Sequence, residues 1–492
     1  MQDGSDQPSA EEGAAVWRFL SHEDDLSDAK RGLDEELLMR NLAEALTYKS
    51  IAPKDAAGGD WSGHARFQEF LKRAFPYLWR SAQVEHVGLS LMITLEGSYR
   101  SLQPLLLISH QDVVPVQPGT EGDWTHGAFE GFSDDCYVWG RGAIDMKSHL
   151  MGVLEATEYL LKRGFTPRRT LIICLGHDEE NYGTGARRMA EVLRQRRIRP
   201  FMLVDEGDYT VSDLTALGAP GRCCIRVGMV EKGYADLLLT VQSAGGHSSN
   251  PFGGTSLGIM SQAISRLVEH RWPLELIGTE RELLETVGPL VTEGALASLL
   301  AGGREGIQAN APQIAELLAG QRAFYPNVQT TVAPTMISGG SSAANVMPQS
   351  MRATINYRLL AGTTVADVLE RAREDLRDLP VQVAVDQETS NDPSCASSAA
   401  SEGFRLLKSV AARYFVEPAT GQPLPLVPSI AKGASDARLY EGVCDACLRF
   451  SPFLVDPEES ARGVHGTNER ITRRSYVHGI RFFVRLIQEA CL

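Results

Sequence analysis

No apolar run among the 492 residues approaches the roughly 20 residues that cross a bilayer, so no membrane partner is expected. The opening stretch "MQDGSDQPSAEEGAAVW" has neither the basic start nor the apolar core of a secretory signal, and the expectation is a cytoplasmic protein. Cysteine is sparse, at 8 residues, and forms no regular framework. Cys444 and Cys447 make a CxxC, but no second CxxC completes a four-thiolate zinc site, so reduced, mostly buried thiols are expected. Basic residues are outnumbered, 48 Lys and Arg against 62 Asp and Glu, and the net charge is −14. That balance argues against nucleic acid as a partner. Internal repeats and low-complexity tracts are missing as well. What is present is ordinarily globular, with 43% hydrophobic and 22% charged residues, which excludes global disorder. A chain of this length exceeds what one core supports, so two domains are expected.

Three apolar runs set the pattern: "LLLISHQDVVPV" (105–116), "TLIICLGHDEE" (170–180) and "PFMLVDEGD" (200–208). Each is strand-like and ends in polar or acidic residues. Helical periodicity fills the gaps, in "DMKSHLMGVLEATEYLLKRG" (145–164), with Gly164 as a C-terminal stop, and in "ARRMAEVLRQRRI". The cadence predicts a mixed, largely parallel α/β sheet flanked by helices, with ligands at the carboxyl ends of its strands. "VEHVGLSLMITLEG" (84–97) reads as one further strand. After about 235 the texture changes to alternating strands and amphipathic helices, with a helical stretch at 277–325. The expected division is one domain over 1–235 and 389–492, and an inserted, smaller α+β domain over 236–388.

The polar ends raise a chemical question. His110 and Asp112 sit two apart in a buried strand, where positions i and i+2 share a face and can touch one reactant. In chain order follow Asp145 in "GRGAIDMK", Glu179 and Glu180 in "GHDEENYGTGA", Asp205 and Glu206 in "LVDEGD", and His465 in "GVHGTNE". Carboxylates clustered at strand ends repel one another and resist ionisation when buried. Divalent cations remove that difficulty, and two imidazoles with three carboxylates, one of them bridging, suit a co-catalytic zinc pair. Of the adjacent Glu179 and Glu180, one can bind metal while the other stays free as a general base. Asp112 can orient the His110 imidazole.

The motifs "SHQDVVPV", "WGRGAIDMKS", "HDEENYGTGA", "DEG" and "VHGTNERI", in this order, resemble the M20 family of metallopeptidases, most closely its carboxypeptidase S-like branch. "GGHSSNP", "NVMPQSMRATINYRL" and "GASDARLY" extend the resemblance over essentially the whole chain. It implies a zinc-exopeptidase-like catalytic domain with an inserted lid or dimerisation domain, and two zinc ions per chain, with cobalt or manganese as substitutes. His110 would bind the first ion, Asp145 would bridge, and Glu180 with His465 would complete the second. Both Asp205 and Glu206 are candidates for the remaining ligand, with motif position leaning to Glu206. Glu179 would be the base, Asp112 the partner of His110, and His247 a donor to the substrate oxyanion. Asn345 and Arg358 would grip the substrate carboxylate, and Gly433 would offer a backbone contact.

Met146 stands where the family usually has a carboxylate that is not a ligand, so altered packing is expected there. His149 reads as a helix residue, and His177 shares a strand face with Glu179. The implied reaction is hydrolysis of an amide bond in a small peptide or N-acyl amino acid with a free carboxylate. Aminoacylase, deacylase or dipeptidase activity is the alternative on the same scaffold, and a non-catalytic binding protein the other class. The resemblance leans towards a homodimer through the inserted domain.

Overall fold

The computed structural model describes residues 18–20, 32–55, 58–418, 420–431 and 433–492, so most of the N-terminal stretch read above lies outside the described residues. The chain divides into two compact units. One comprises Met1–Leu214, Gly221–Met229 and Ser397–Leu492, the other Thr215–Pro220 and Val230–Ala396. The chain enters and leaves the second unit at adjoining points, where Ser397 N–H donates to Met229 O at 2.8 Å and Ser394 N–H to Glu231 O at 3.1 Å. The change of texture near 235 falls inside the strand Gly233–Gln242, whose buried and half-exposed residues alternate from its start.

The sheet of the first unit runs Gln83–Val87, Ser90–Leu95, Leu171–Gly176, Leu105–His110, Met202–Asp208, Cys447–Phe450, Cys223–Glu231, Leu426–Ala431. Leu105–His110 is parallel to both of its neighbours, and Met202–Asp208 is parallel to Cys447–Phe450. Leu105–His110 and Leu171–Gly176 are buried along their whole length, as parallel strands covered on both faces must be. Leu105 and Leu107 join the core of the helices Lys147–Lys162 and Arg473–Cys491, while Leu106 and Ile108 join that of Thr184–Gln195. Each such leucine stabilises the fold by roughly 1.5–3 kcal/mol. Helix Lys147–Lys162 is buried from Lys147 to Leu160, and the Phe453 ring lies against it and Arg473–Cys491. A Cβ at Gly152 or Gly479 would stand 2.3 or 2.2 Å from that ring, so the approach needs glycine at both places.

The stretch 84–97 is a hairpin and not one strand. Gln83–Val87 and Ser90–Leu95 pair across a turn at Gly88, whose φ of 67° favours glycine. Strand Leu105–His110 also stops at His110, so Asp112 lies beyond it and the shared-face argument does not carry the pair. None of the eight cysteines forms a disulfide; Cys444 and Cys447 are both buried, and Cys447 opens a central strand.

The second unit is built on an antiparallel sheet ordered Thr331–Gly339, Ser350–Leu359, Gly233–Gln242, Val381–Val385. Helices Ser256–Glu269 and Val365–Asp375 cover one face. The 277–325 stretch forms the helices Gly278–Val287, Gly294–Leu299, Arg304–Ala309 and Ala311–Ala319. Edge strand Thr331–Gly339 exposes Met336 and Ile337. Among the described residues no helix is long and apolar enough to cross a membrane.

Candidate metal centre

The carboxyl ends of strands Leu105–His110, Leu171–Gly176 and Met202–Asp208, with two loops that carry Asp145 and His465, bring sequence-derived residues together. His110 ends its strand buried, and its Nδ1 lies 3.0 Å from the Asp112 carbonyl oxygen. An Nδ1–H donated there turns Nε2 towards the acids, where it could ligate a cation once deprotonated. Nε2 is 3.2 Å from Asp145 Oδ1 and 3.7 Å from Glu206 Oε1. On the other side of Asp145, His465 Nε2 lies 3.2 Å from Asp145 Oδ2 and 3.2 Å from Glu180 Oε2. Two ligand groups result, His110–Asp145–Glu206 and Asp145–Glu180–His465, each with its donor atoms within 4.8 Å of one another. Asp145 belongs to both, one oxygen facing each way.

Asp205 stands outside both groups. Its Oδ2 accepts from Ala437 N at 2.9 Å and its Oδ1 from Glu206 N at 2.8 Å, so it braces the backbone behind Glu206. Asp112 does more than face His110, whose Nδ1 is 3.4 Å from Oδ1. Its Oδ1 and Oδ2 accept from Glu179 N at 3.2 Å and Glu180 N at 3.1 Å. One buried carboxylate therefore fixes the backbone of the general-base candidate and of a ligand at once.

The electrostatics fit a cation. Burial, with the charges of Glu206, Asp436 and Glu180 behind it, lifts the Glu179 carboxyl well above its usual range despite His110. Burial and then Asp145 do the same to Glu206, and burial lifts Asp205 to about 6. His465 is raised to about 10, first by its hydrogen bond to Asp145 and then by Glu180. Burial opposes a charged His110, but its bonds to Asp112 and Asp145 overrule it and raise the imidazole well above its usual value. Protons on imidazoles are thus the countercharges that a metal would displace. Glu180 Oε1 is buried with no hydrogen-bond partner, as suits an oxygen able to bind a cation. The donor set, two imidazoles and carboxylates with one bridging, matches zinc chemistry.

The other sequence-derived residues, Gly433 apart, have partners of their own or belong to the second unit. His177 faces Ser90 Oγ at 2.7 Å with its ring edge-on to Trp61, because its strand stops at Gly176. His149 is a buried helix residue between Phe453 and Phe483. Met146 packs its sulfur 3.3 Å from His110 N. Gly433 is exposed, with open space where a Cβ would stand. His247, Asn345 and Arg358 belong to the second unit. Beside His465 opens a cleft of about 1350 Å³ lined by Trp124, Tyr137, Trp139, Arg141 and Arg470, all in the first unit.

Two residues were missed. Tyr209 O–H donates to Glu206 Oε2 at 2.5 Å, leaving Oε1 turned to His110. Glu469 is fully buried and accepts from Gly142 N, Ile144 N, Asp145 N and Arg141 Nη1 at 2.9, 2.8, 3.0 and 2.7 Å. The available signal was the glycine-rich "WGRGAID", whose backbone N–H groups, once buried, need acceptors.

The chain matches peptidase family M20/M25/M40 over residues 106–489. It is 33% identical over 431 residues to the N-fatty-acyl-amino acid synthase/hydrolase PM20D1 of Mus musculus, covering 87% of this chain and 82% of that one. It is 32% identical over 470 residues to the probable carboxypeptidase S-like 2 of Dictyostelium discoideum, covering 94% and 86%. Among solved structures, the M20 family metallo-carboxypeptidase Sso-CP2 of Sulfolobus solfataricus shares the fold with a TM-score of 0.64 at 18% identity, over 93% of this chain and 99% of that one. With ligand-type residues gathered as a metalloenzyme requires, the protein belongs to peptidase family M20/M25/M40, in its carboxypeptidase S-like branch, and is a metallopeptidase or amidohydrolase.

Proposed function

We propose that the protein hydrolyses the amide bond of a small peptide or N-acyl amino acid bearing a free carboxylate, with two zinc ions that cobalt or manganese can replace. The observation that carries this reading is the pair of ligand groups sharing Asp145. His110, Asp145 and Glu206 would hold one ion, and Asp145, Glu180 and His465 the other. Bound there, the ions supply Lewis acidity for the scissile carbonyl and lower the pKa of a water from about 15.7 towards neutrality.

Glu179 is the proton carrier. Its raised pKa suits a base that works near neutrality. It takes the proton of the attacking water and delivers it to the leaving nitrogen as the C–N bond breaks. Asp112 keeps that carboxylate in place through the Glu179 N–H. For the substrate, Ser249 N–H donates to His247 Nδ1 at 3.2 Å, which puts the imidazole proton on Nε2, a donor for an oxyanion. Arg358 stacks on Tyr234 at 4.6 Å and makes no ion pair among the described residues, so its guanidinium is assigned to the substrate carboxylate. Asn345 and Gly433 are assigned as further contacts. The second unit is assigned the lid or dimerisation role, and its exposed edge strand with Met336 and Ile337 supports pairing with a second copy.

The test joins metal analysis of the purified protein with hydrolysis of a panel of N-fatty-acyl amino acids, short N-acyl amino acids and dipeptides. Chelator-sensitive release of a free amino acid, restored by about two metal equivalents per chain, is expected. The preferred panel member separates acylase from peptidase. A protein that binds no zinc and stays inert after zinc is added back refutes the reading.

A further inference from the structure

The bridging aspartate and the imidazole that shares it come from loops far apart in the sequence, and one side chain ties the two loops together. Glu469 lies four residues after His465, wholly inside the protein. Its Oε1 accepts from Ile144 N and Asp145 N, and its Oε2 from Gly142 N and Arg141 Nη1. Arg141 then returns to the His465 loop, donating from Nη2 to Gly466 O at 2.8 Å. Gly140 N–H also donates to Glu469 O at 2.9 Å. The closed circuit runs from the Asp145 backbone to the carboxylate, the guanidinium and the peptide next to His465. His465 itself holds a φ of 59°, a left-handed conformation that disfavours an L-residue and needs bracing of this kind.

We infer that Glu469 is the positioning residue of the metal centre, setting the distance between Asp145 and His465. The inference rests on the two-cation reading above. Four donors converge on one carboxylate, and no neutral side chain reproduces that. A glutamine keeps the shape but turns an amide –NH2 towards either two backbone N–H groups or a backbone N–H and the Arg141 guanidinium. The loop must then move, and Asp145 moves with it. A residue needed only for folding would lower stability without altering the ions' surroundings.

The experiment titrates metal-free wild type and Glu469→Gln with Co²⁺, following the visible d–d bands, and records thermal unfolding of both metal-free proteins. Partners behind metal ligands typically change affinity 10–100-fold. The expected result is a rise of about that size in the dissociation constant of Co²⁺, at least for the ion shared by Asp145 and His465, with altered band intensity for that ion. An unchanged constant and spectrum with a lower melting temperature overturns the inference and leaves Glu469 a folding residue. Wild type that binds no Co²⁺ overturns the two-cation reading instead. Should Glu469→Gln not fold, Arg141→Lys takes its place in the same titration. It leaves the three backbone bonds to Glu469 and removes the link to Gly466, so a smaller weakening of that ion is expected, and wild-type affinity and spectrum overturn the inference.

Discussion

Replacing Asp112 by asparagine changes one buried atom. The carboxylate gives one oxygen to Glu179 N–H at 3.2 Å and the other to Glu180 N–H at 3.1 Å. An asparagine has a single carbonyl oxygen, so in either rotamer one of these N–H groups meets an –NH2. A hydrogen bond to a charged group contributes about 1.5–3 kcal/mol, and a buried donor left unpaired costs about 1–3 kcal/mol. The two bonds hold the proposed base and a proposed ligand, so the loss is expected mainly at the candidate metal centre. A drop in metal affinity of 10–100-fold corresponds to about 1.4–2.8 kcal/mol, within the range of the lost bond. Competition against a chelator of known affinity reads this directly. Turnover at saturating metal reads the second effect, because Glu179 is freed from its anchor and kcat falls as well. Asp112→Asn with wild-type metal affinity and wild-type kcat would show that the 179–180 backbone is held by other means, and the assignment would fail.

Glu179→Ala is expected to lower kcat by about 10²–10⁴-fold while the protein retains its metal on analysis; appreciable retained activity contradicts the role of base. The pH dependence of stability has a contributor outside the centre. Burial lowers His64 to about 4, its Nε2 donates to His177 O at 3.0 Å and its Nδ1 has no partner. A second proton would have no acceptor. Since the folded pKa lies below the unfolded value, the unfolded chain takes up the proton first as pH falls. Stability from this group is therefore full above about 6.5 and is lost as pH falls towards 4, on the order of 3 kcal/mol in all. Denaturant unfolding across that window should show the slope, and His64→Gln should lose that part of it.

That His110, Asp145, Glu180 and His465 would gather was legible from chemistry: acids and imidazoles at the ends of buried strands suit a shared cation, and the structure groups them. The choice between Asp205 and Glu206 was not. Neighbouring residues on a strand point to opposite faces, and the deciding contact is Ala437 N, 232 positions away. Glu469 was hidden for a similar reason, since its partners are three backbone N–H groups and the Arg141 side chain of a loop more than three hundred residues earlier. The sheet was legible as a class but not as an order. Cys447–Phe450 sits between Met202–Asp208 and Cys223–Glu231, and such long-range pairing leaves no local mark. The hairpin at Gly88 was missed because one glycine inside an apolar run reads as readily as an irregularity.

The hydrogen-bonded neighbours Met229 and Ser397 carry an engineering consequence. Since the chain departs and returns at adjoining backbone positions, the stretch between them is a candidate for excision as a cassette. A few glycines and serines could bridge the gap, because closing a short loop between points already in contact carries little entropic penalty. The Thr215–Pro220 loop, which also belongs to the second unit, would need recutting. The metal-ligand half could then be produced alone, or fitted with the corresponding segment of another relative, to ask which half of the molecule chooses the substrate.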